Sequence, residues 1–174
     1  TVVDDSHGIG AFGPRGRGTA DYTGAQPDII IGTFGKAFGV NGGFIAAGPI
    51  VVEAVRQKAD TYIYTNPLSV ADCAAAGRAI EICDSAERLE RLAHLRRMAS
   101  RFRSGIESLG WQSIPGPHPI VPLLVRDTPR THQLVRRLFD EGVLAVGLTF
   151  PVVPRGDETV RFQINAAHTA ADVD

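Results

Sequence analysis

Residues 27–43 read PDIIIGTFGKAFGVNGG, and this stretch decides the fold class. Ile29, Ile30 and Ile31 form a β-branched run bounded by Pro27 and Gly32. A short apolar run between breakers reads as a strand over Asp28–Gly32, covered on both faces as in a parallel sheet. A loop of glycines and aromatics follows, carrying one lysine, Lys36. Gly42–Ala47 reads as the next strand. Pro49 then starts a helix to about Ala59, because the first turn does not need the N–H that proline lacks.

Toward the start, Thr1–Asp4 reads as a short buried strand. Residues 7–24 carry glycine at 8, 10, 13, 16, 18 and 24 together with Pro14, so they form a loop with about one helical turn at most. The chain opens on an apolar strand without Met and closes on Ala170–Asp174, which reads as a first helical turn. It is therefore expected to be a piece of something longer. Toward the end, Tyr62–Thr65 reads as extended and Leu68–Cys83 as helix. Ser85 is placed as N-cap of a long helix to Leu109, with Leu89, Leu92, Leu95, Ala99, Phe102 and Ile106 on its apolar stripe and Gly110 at its C′ position. A strand at Ile120–Val125, a helix at Arg130–Glu141, strands at Val143–Val146 and Val160–Ile164, and a helix capped by Thr169 complete the pattern. Strands and helices alternate, so the class is α/β. The long helix at 85–109 is the natural joint between a region 1–84 built on a mostly parallel sheet and a smaller α/β region 85–174.

Composition limits the function. With 44% hydrophobic and 21% charged residues, the chain can bury a core. A net charge of −1 gives no field for nucleic acid or an anionic membrane. Arg96, Arg97, Arg101 and Arg103 read as a solvated helix face. No apolar run is long enough to span a bilayer, and no signal peptide opens the chain, so a cytoplasmic protein is expected. Cys73 and Cys83 form no metal or disulfide pattern and are expected to be buried.

The chemistry-bearing residues stand at strand ends, where open α/β sheets bind ligands. Asp4, Asp5 and His7 end the first strand, but the following loop adds no further ligand at a metal-like spacing, so no metal is expected. Lys36 follows the second strand among apolar neighbours, a setting that suits a nucleophilic amine, although a lysine is more often a solvated loop residue. Gly35-Lys36 is followed by Ala37 instead of Ser or Thr, so this is no P-loop. Arg161 lies in an apolar strand. Read alone, it is either one half of a structural ion pair or a bidentate clamp for a carboxylate.

Four segments together, DDSHGIGAFGPRGRG (4–18), PDIIIGTFGKAFGVNGG (27–43), YIYTNPL (62–68) and LTFPVVPRGDETVRFQINAAHT (148–169), resemble the α-oxoamine synthase family of fold-type I enzymes that use pyridoxal 5′-phosphate (PLP). The order and spacing agree with that family, including the 29 residues from His7 to Lys36. The PVVP-G and QxxAAHT patterns are most similar to its 2-amino-3-ketobutyrate CoA ligase (glycine C-acetyltransferase) branch. The 8-amino-7-oxononanoate, 5-aminolevulinate and serine palmitoyl synthases are close competitors.

The resemblance implies that the chain is the C-terminal half of such a transferase, comprising part of its large domain and its small domain. It implies PLP as cofactor, an amino acid (glycine) and an acyl-CoA as substrates, and a homodimer. By matching position, Lys36 would hold the cofactor's aldehyde and shuttle protons. Asp4 would pair with the pyridine nitrogen, and His7 would contact the phenolic oxygen near the reacting carbon. Thr33 would bind the phosphate, Thr65 would reach the phosphate of the neighbouring subunit's cofactor, and Arg161 would hold the amino acid's carboxylate. Two other readings stay open: a non-catalytic partner subunit and a same-fold aminotransferase. Pro67 departs from the small polar residue often found there in relatives.

Overall fold

The computed structural model describes residues 1–174 and divides into two compact units, Thr1–Leu92 and Ala93–Asp174. In the first unit, β1 (Val2–Asp4) pairs in parallel with β2 (Ile29–Thr33), and β2 pairs antiparallel with β3 (Gly43–Ala47). Between β1 and β2 the chain runs through the glycine loop and the short helix α1 (Thr19–Thr23), long enough for a crossover. Between β2 and β3 it has only residues 34–42. That is too short to return the chain to a parallel start, so this three-stranded sheet is mixed, not uniformly parallel.

Four helices complete the unit: α2 (Pro49–Lys58), α3 (Asp60–Tyr64), α4 (Val70–Cys83) and the start of α5 (Glu87–Ser108). Pro49 opens α2 as read from the sequence, and the Ser69 hydroxyl caps α4 by accepting the Asp72 N–H. Residues 62–64, expected to be extended, belong to α3, and the extended backbone begins only at Thr65. Local β-propensity in Tyr-Ile-Tyr yields here to a helical turn that Asp60 starts with a favourable first-turn charge. Ser85 does not cap α5: its hydroxyl donates to the Ile82 carbonyl 2.7 Å away, at the end of the preceding helix.

The core of this unit is thin. Its buried apolar side chains are Phe34, Ala76 and Leu92. Ile31 and its cross-strand partner Ile45 are 39% and 36% exposed, so the strand expected to be covered on both faces is open within this chain. Helix α4 likewise buries only Ala76. Cys73 is exposed and Cys83 half-buried, in contrast to the burial expected from their small-residue surroundings. Burial pushes the Cys83 thiol up.

The second unit has the order β4 (Ile120–Leu124), α6 (Thr128–Asp140), β5 (Val146–Leu148), β6 (Thr159–Gln163), α7 (Ala170–Val173) after the end of α5. Its sheet runs β4-β6-β5, antiparallel throughout. Val121 and Leu123 face Phe162 and Val160 across the ladder, and all four are buried. Phe102 of α5 packs its ring 4.8 Å from that of Phe162, and Gly147 admits Thr131 and Val135 of α6 to the same face. Helices thus cover one face of the sheet. The caps follow the sequence: Asp127 accepts the Arg130 N–H at the start of α6, and Thr169 with Asp172 forms a capping box on α7. The strand expected at 143–146 sits later, at Val146–Leu148. Gly142, at φ 83, ends the turn after α6, and the Val143 N–H is taken by the Leu138 carbonyl, so pairing starts only beyond it.

Candidate active site

Asp4 ends β1 and pairs with Ile31; Thr33 ends the parallel β2. The carboxyl ends of both strands therefore open on one edge of the sheet, the place where such sheets take ligands. The loop carrying Lys36 leaves from that edge and is tightly closed. The Phe34 N–H donates to the Gly42 carbonyl at 2.9 Å and the Val40 N–H to the Phe34 carbonyl at 2.9 Å. Phe34 is buried against Phe38 and Phe44, with ring centroids 5.8 and 5.2 Å away. The aromatics on either side of the lysine thus fix the loop. Thr33 belongs to the same closure: its hydroxyl donates to Gly42 at 3.0 Å and accepts the Gly35 N–H at 3.2 Å.

The glycine loop meets this edge. A Cβ on Gly10 would stand 2.8 Å from the Cβ of Ala37, so only glycine lets the two loops touch beside Lys36. His7 lies on that loop, three residues past Asp4. The Asp4 carboxyl is held below the usual carboxylate range. Hydrogen bonds from the Ser6 hydroxyl and amide are the main cause, outweighing desolvation, and the charges of Lys36 and His7 add to them. Asp4, His7 and Lys36 therefore share one electrostatic neighbourhood.

Lys36 is exposed, as are Asp4 and His7. The apolar neighbours read around the amine do not bury it, because the glycines and aromatics beside it order the loop without covering its tip. Thr65 is exposed too, and its hydroxyl donates to the Thr61 carbonyl at 2.6 Å.

Arg161, in the second unit, pairs with Pro122 and Val146 across the ladders, on the sheet face opposite Val160 and Phe162. It joins no ion pair, and its Nε is buried with no hydrogen-bond partner. A structural ion pair, one of its two sequence readings, is not what holds it. A buried unpaired donor of this kind is costly unless a ligand satisfies it.

The donor set suits pyridoxal phosphate. An amine can take its aldehyde, and an acid that stays ionised can face a protonated ring nitrogen. An imidazole stands close by, and the Thr33 hydroxyl lies at the mouth of a loop. One residue of this region escaped the sequence reading as a site residue: Asp5, whose burial could have been suspected only from the glycines at 8 and 18 that crowd it.

A chain with this edge and this lysine loop belongs to the aminotransferase class I and II family, whose model matches residues 1–174. The relatives it resembles are α-oxoamine synthases. It is 40% identical to the 8-amino-7-oxononanoate synthase of Marinobacter nauticus and 38% identical to that of Thermosipho melanesiensis, in each case over 99% of this chain and 44% of the relative. Among solved structures it superposes on a serine palmitoyltransferase from S. paucimobilis with bound PLP-myriocin aldimine at a TM-score of 0.89 and 30% identity, covering 99% of this chain and 44% of that one. The chain thus spans less than half the length of these relatives. The α-oxoamine synthase resemblance and the α/β class hold. None of these relatives carries the name of the glycine C-acetyltransferase branch. No helix is long and apolar enough to cross a membrane.

Proposed function

We propose that this chain is the lysine-bearing part of a PLP-dependent α-oxoamine synthase, an acyltransferase that joins an amino acid to an acyl-CoA. The observation that carries the reading is the gathering of Lys36, Asp4 and His7 on one sheet edge, with the acid held ionised. When bound, pyridoxal phosphate supplies an aldehyde for amines and a ring that accepts electrons from the substrate's α-carbon. Lys36 would hold that aldehyde and would be the group placed to move the α-proton. Asp4 would keep a proton on the ring nitrogen, and His7 would stand near the phenolic oxygen. Thr33 would bind the phosphate in its own subunit, and Thr65 would reach the phosphate across a dimer interface. Arg161 grips the amino acid's carboxylate through its unpaired fork. With this reading go a homodimer, a cytoplasmic location, and a division of labour between the regions 1–84 and 85–174.

The proposed amino acid is glycine, on the strength of the PVVP-G and QxxAAHT patterns. The names of the relatives support the other synthases of the family as alternative specificities. Borohydride treatment tests the core of the proposal. It should fix the cofactor covalently to the complete protein, and Lys36→Ala should lose that fixation. A wild-type protein that takes up no cofactor would favour a non-catalytic partner subunit. Incubation with glycine, alanine or serine and acyl-CoAs of increasing length should release CoA with one combination. Cofactor binding without CoA release from any would point to aminotransfer.

A further inference from the structure

Asp5 follows Asp4 in sequence but has the opposite environment: Asp4 is open, whereas Asp5 is 4% exposed. We infer that Asp5 is a positioning residue for the proposed site, its buried carboxylate folding the glycine loop back onto the end of β1 and so fixing the segment that carries Asp4 and His7. The inference rests on the function proposed above.

Both carboxylate oxygens are used by one residue. Oδ2 accepts the Thr19 N–H at 2.7 Å and Oδ1 the Thr19 hydroxyl at 2.6 Å. Thr19 begins α1, whose N-cap residue, Gly18, has no side chain to offer, so an acid fourteen residues earlier takes the first free N–H. The Asp5 main chain anchors the other side. Its N–H donates to the Ile31 carbonyl at 2.9 Å, extending the β1–β2 ladder. Its carbonyl accepts the Gly8 and Ile9 N–H groups at 2.9 and 3.0 Å, closing the turn that contains Ser6 and His7. One residue therefore links the strand end, the His7 turn and the far end of the loop.

The glycines fit this role. A Cβ on Gly8 would lie 2.0 Å from Asp5 Oδ1, and one on Gly18 would lie 1.8 Å from Oδ2. Gly18 also sits at φ 89, where other residues are strained. The two glycines flank the carboxylate and leave the space it occupies. Ser6, the main hydrogen-bond donor to Asp4, lies inside the turn that Asp5 closes.

The test uses the complete, cofactor-loaded protein and the variants Asp5→Ala, Asp5→Asn and Thr19→Val. The readouts are the pH midpoint of the bound cofactor's visible band, its induced circular dichroism, amide exchange across 8–18, and kcat against KM. Asp5→Ala and Thr19→Val should shift the pH midpoint, weaken the dichroism, speed exchange in the loop and lower kcat about ten-fold or more, with KM little changed. Asp5→Asn should recover most of this, since its amide can accept the Thr19 N–H and donate to the turned hydroxyl. If Asp5→Ala does not fold, Thr19→Val, which keeps the acid and removes one donor, decides alone. An unchanged pH midpoint and unchanged exchange in a folded variant overturn the inference, as does Asp5→Asn behaving like Asp5→Ala, which would make the charge itself the working feature. A wild-type protein that binds no cofactor overturns the functional reading and this inference together; normal binding with indistinguishable variants overturns this inference alone.

Discussion

Asp4 stands opposite Ile31 in the parallel ladder of β1 and β2, and this register brings its carboxylate to the sheet edge from which the Lys36 loop departs. Two residues 32 positions apart in sequence become neighbours because both strands point the same way. Asp4→Asn keeps the shape and removes the charge. In the complete protein, kcat should fall by about 100-fold or more while the lysine still takes up the cofactor. Steady-state kinetics beside borohydride fixation would check it; full activity in the variant would remove the acid from the mechanism.

Asp21 supports the same loop from its other side. Burial alone would push its carboxyl up, but hydrogen bonds from the Arg15 amide at 2.7 Å and guanidinium at 2.9 Å, and from the Arg17 amide, outweigh this and leave it lowered. A carboxyl lowered by folding stabilises the fold above the usual carboxylate range, and that contribution is lost as pH falls through the folded value. Asp21→Asn should therefore flatten the acid side of the stability profile. Urea denaturation at a series of pH values from neutral to acid reads this out; parallel profiles for the variant and the wild type would contradict it.

Arg161 offers a contrast between shape and charge. Arg161→Lys keeps the charge on the strand but loses the planar fork. If the fork holds a carboxylate, KM for the amino acid should rise about 10- to 100-fold, the loss of one charged hydrogen bond, with the melting temperature unchanged. A lowered melting temperature with KM intact would return this residue to a structural role.

The chain order of strands and helices was legible because breakers and β-branched runs mark it: Ile29–Ile31 between Pro27 and Gly32, Pro49 at the head of α2, the Thr169 cap of α7. The placement of Lys36, Asp4 and His7 at one sheet edge was legible from their position at strand ends. Environment was not. Burial depends on what else packs against a segment, and sequence periodicity assumes a partner for every apolar face. Ile31 and Cys73 read as buried and are open within this chain. The antiparallel turn of β3 depended on the length of one loop, and the role of Asp5 on contacts with Thr19 that no local pattern encodes.

Gly42 connects the Lys36 loop to the rest of its unit. At φ 100, a Cβ there would stand 2.1 Å from Leu68 Cδ2, while the Gly42 carbonyl accepts both the Phe34 N–H and the Thr33 hydroxyl. Gly42→Ala should cost about 1–3 kcal/mol of strain and shift Thr33 with it, so cofactor affinity should fall together with stability. Fluorescence titration of the apoprotein with cofactor, paired with urea denaturation, separates the two effects. A loss of stability without a change in affinity would count against the proposed phosphate contact of Thr33.

The two units should also differ when the 174-residue chain is studied by itself. Apolar side-chain burial in the first is confined to Phe34, Ala76 and Leu92, its sheet has free edges at β1 and β3, and Ile50, Ile63, Tyr64 and Val70 are exposed. The second buries Val121 and Val160 completely and adds Leu95, Met98, Leu123 and Phe162 to them. Local opening free energy rises with buried apolar contact, so amides of β4 and β6 should exchange far more slowly than those of β1 and β2. The open edges and exposed apolar groups of the first unit should make the chain bind hydrophobic dyes and self-associate. Leu123→Ala in the second unit should cost about 2–5 kcal/mol and speed exchange across β4 and β6. Hydrogen exchange read by mass spectrometry tests this directly. Equal protection in the two sheets would mean that the first unit is held by contacts other than its apolar core.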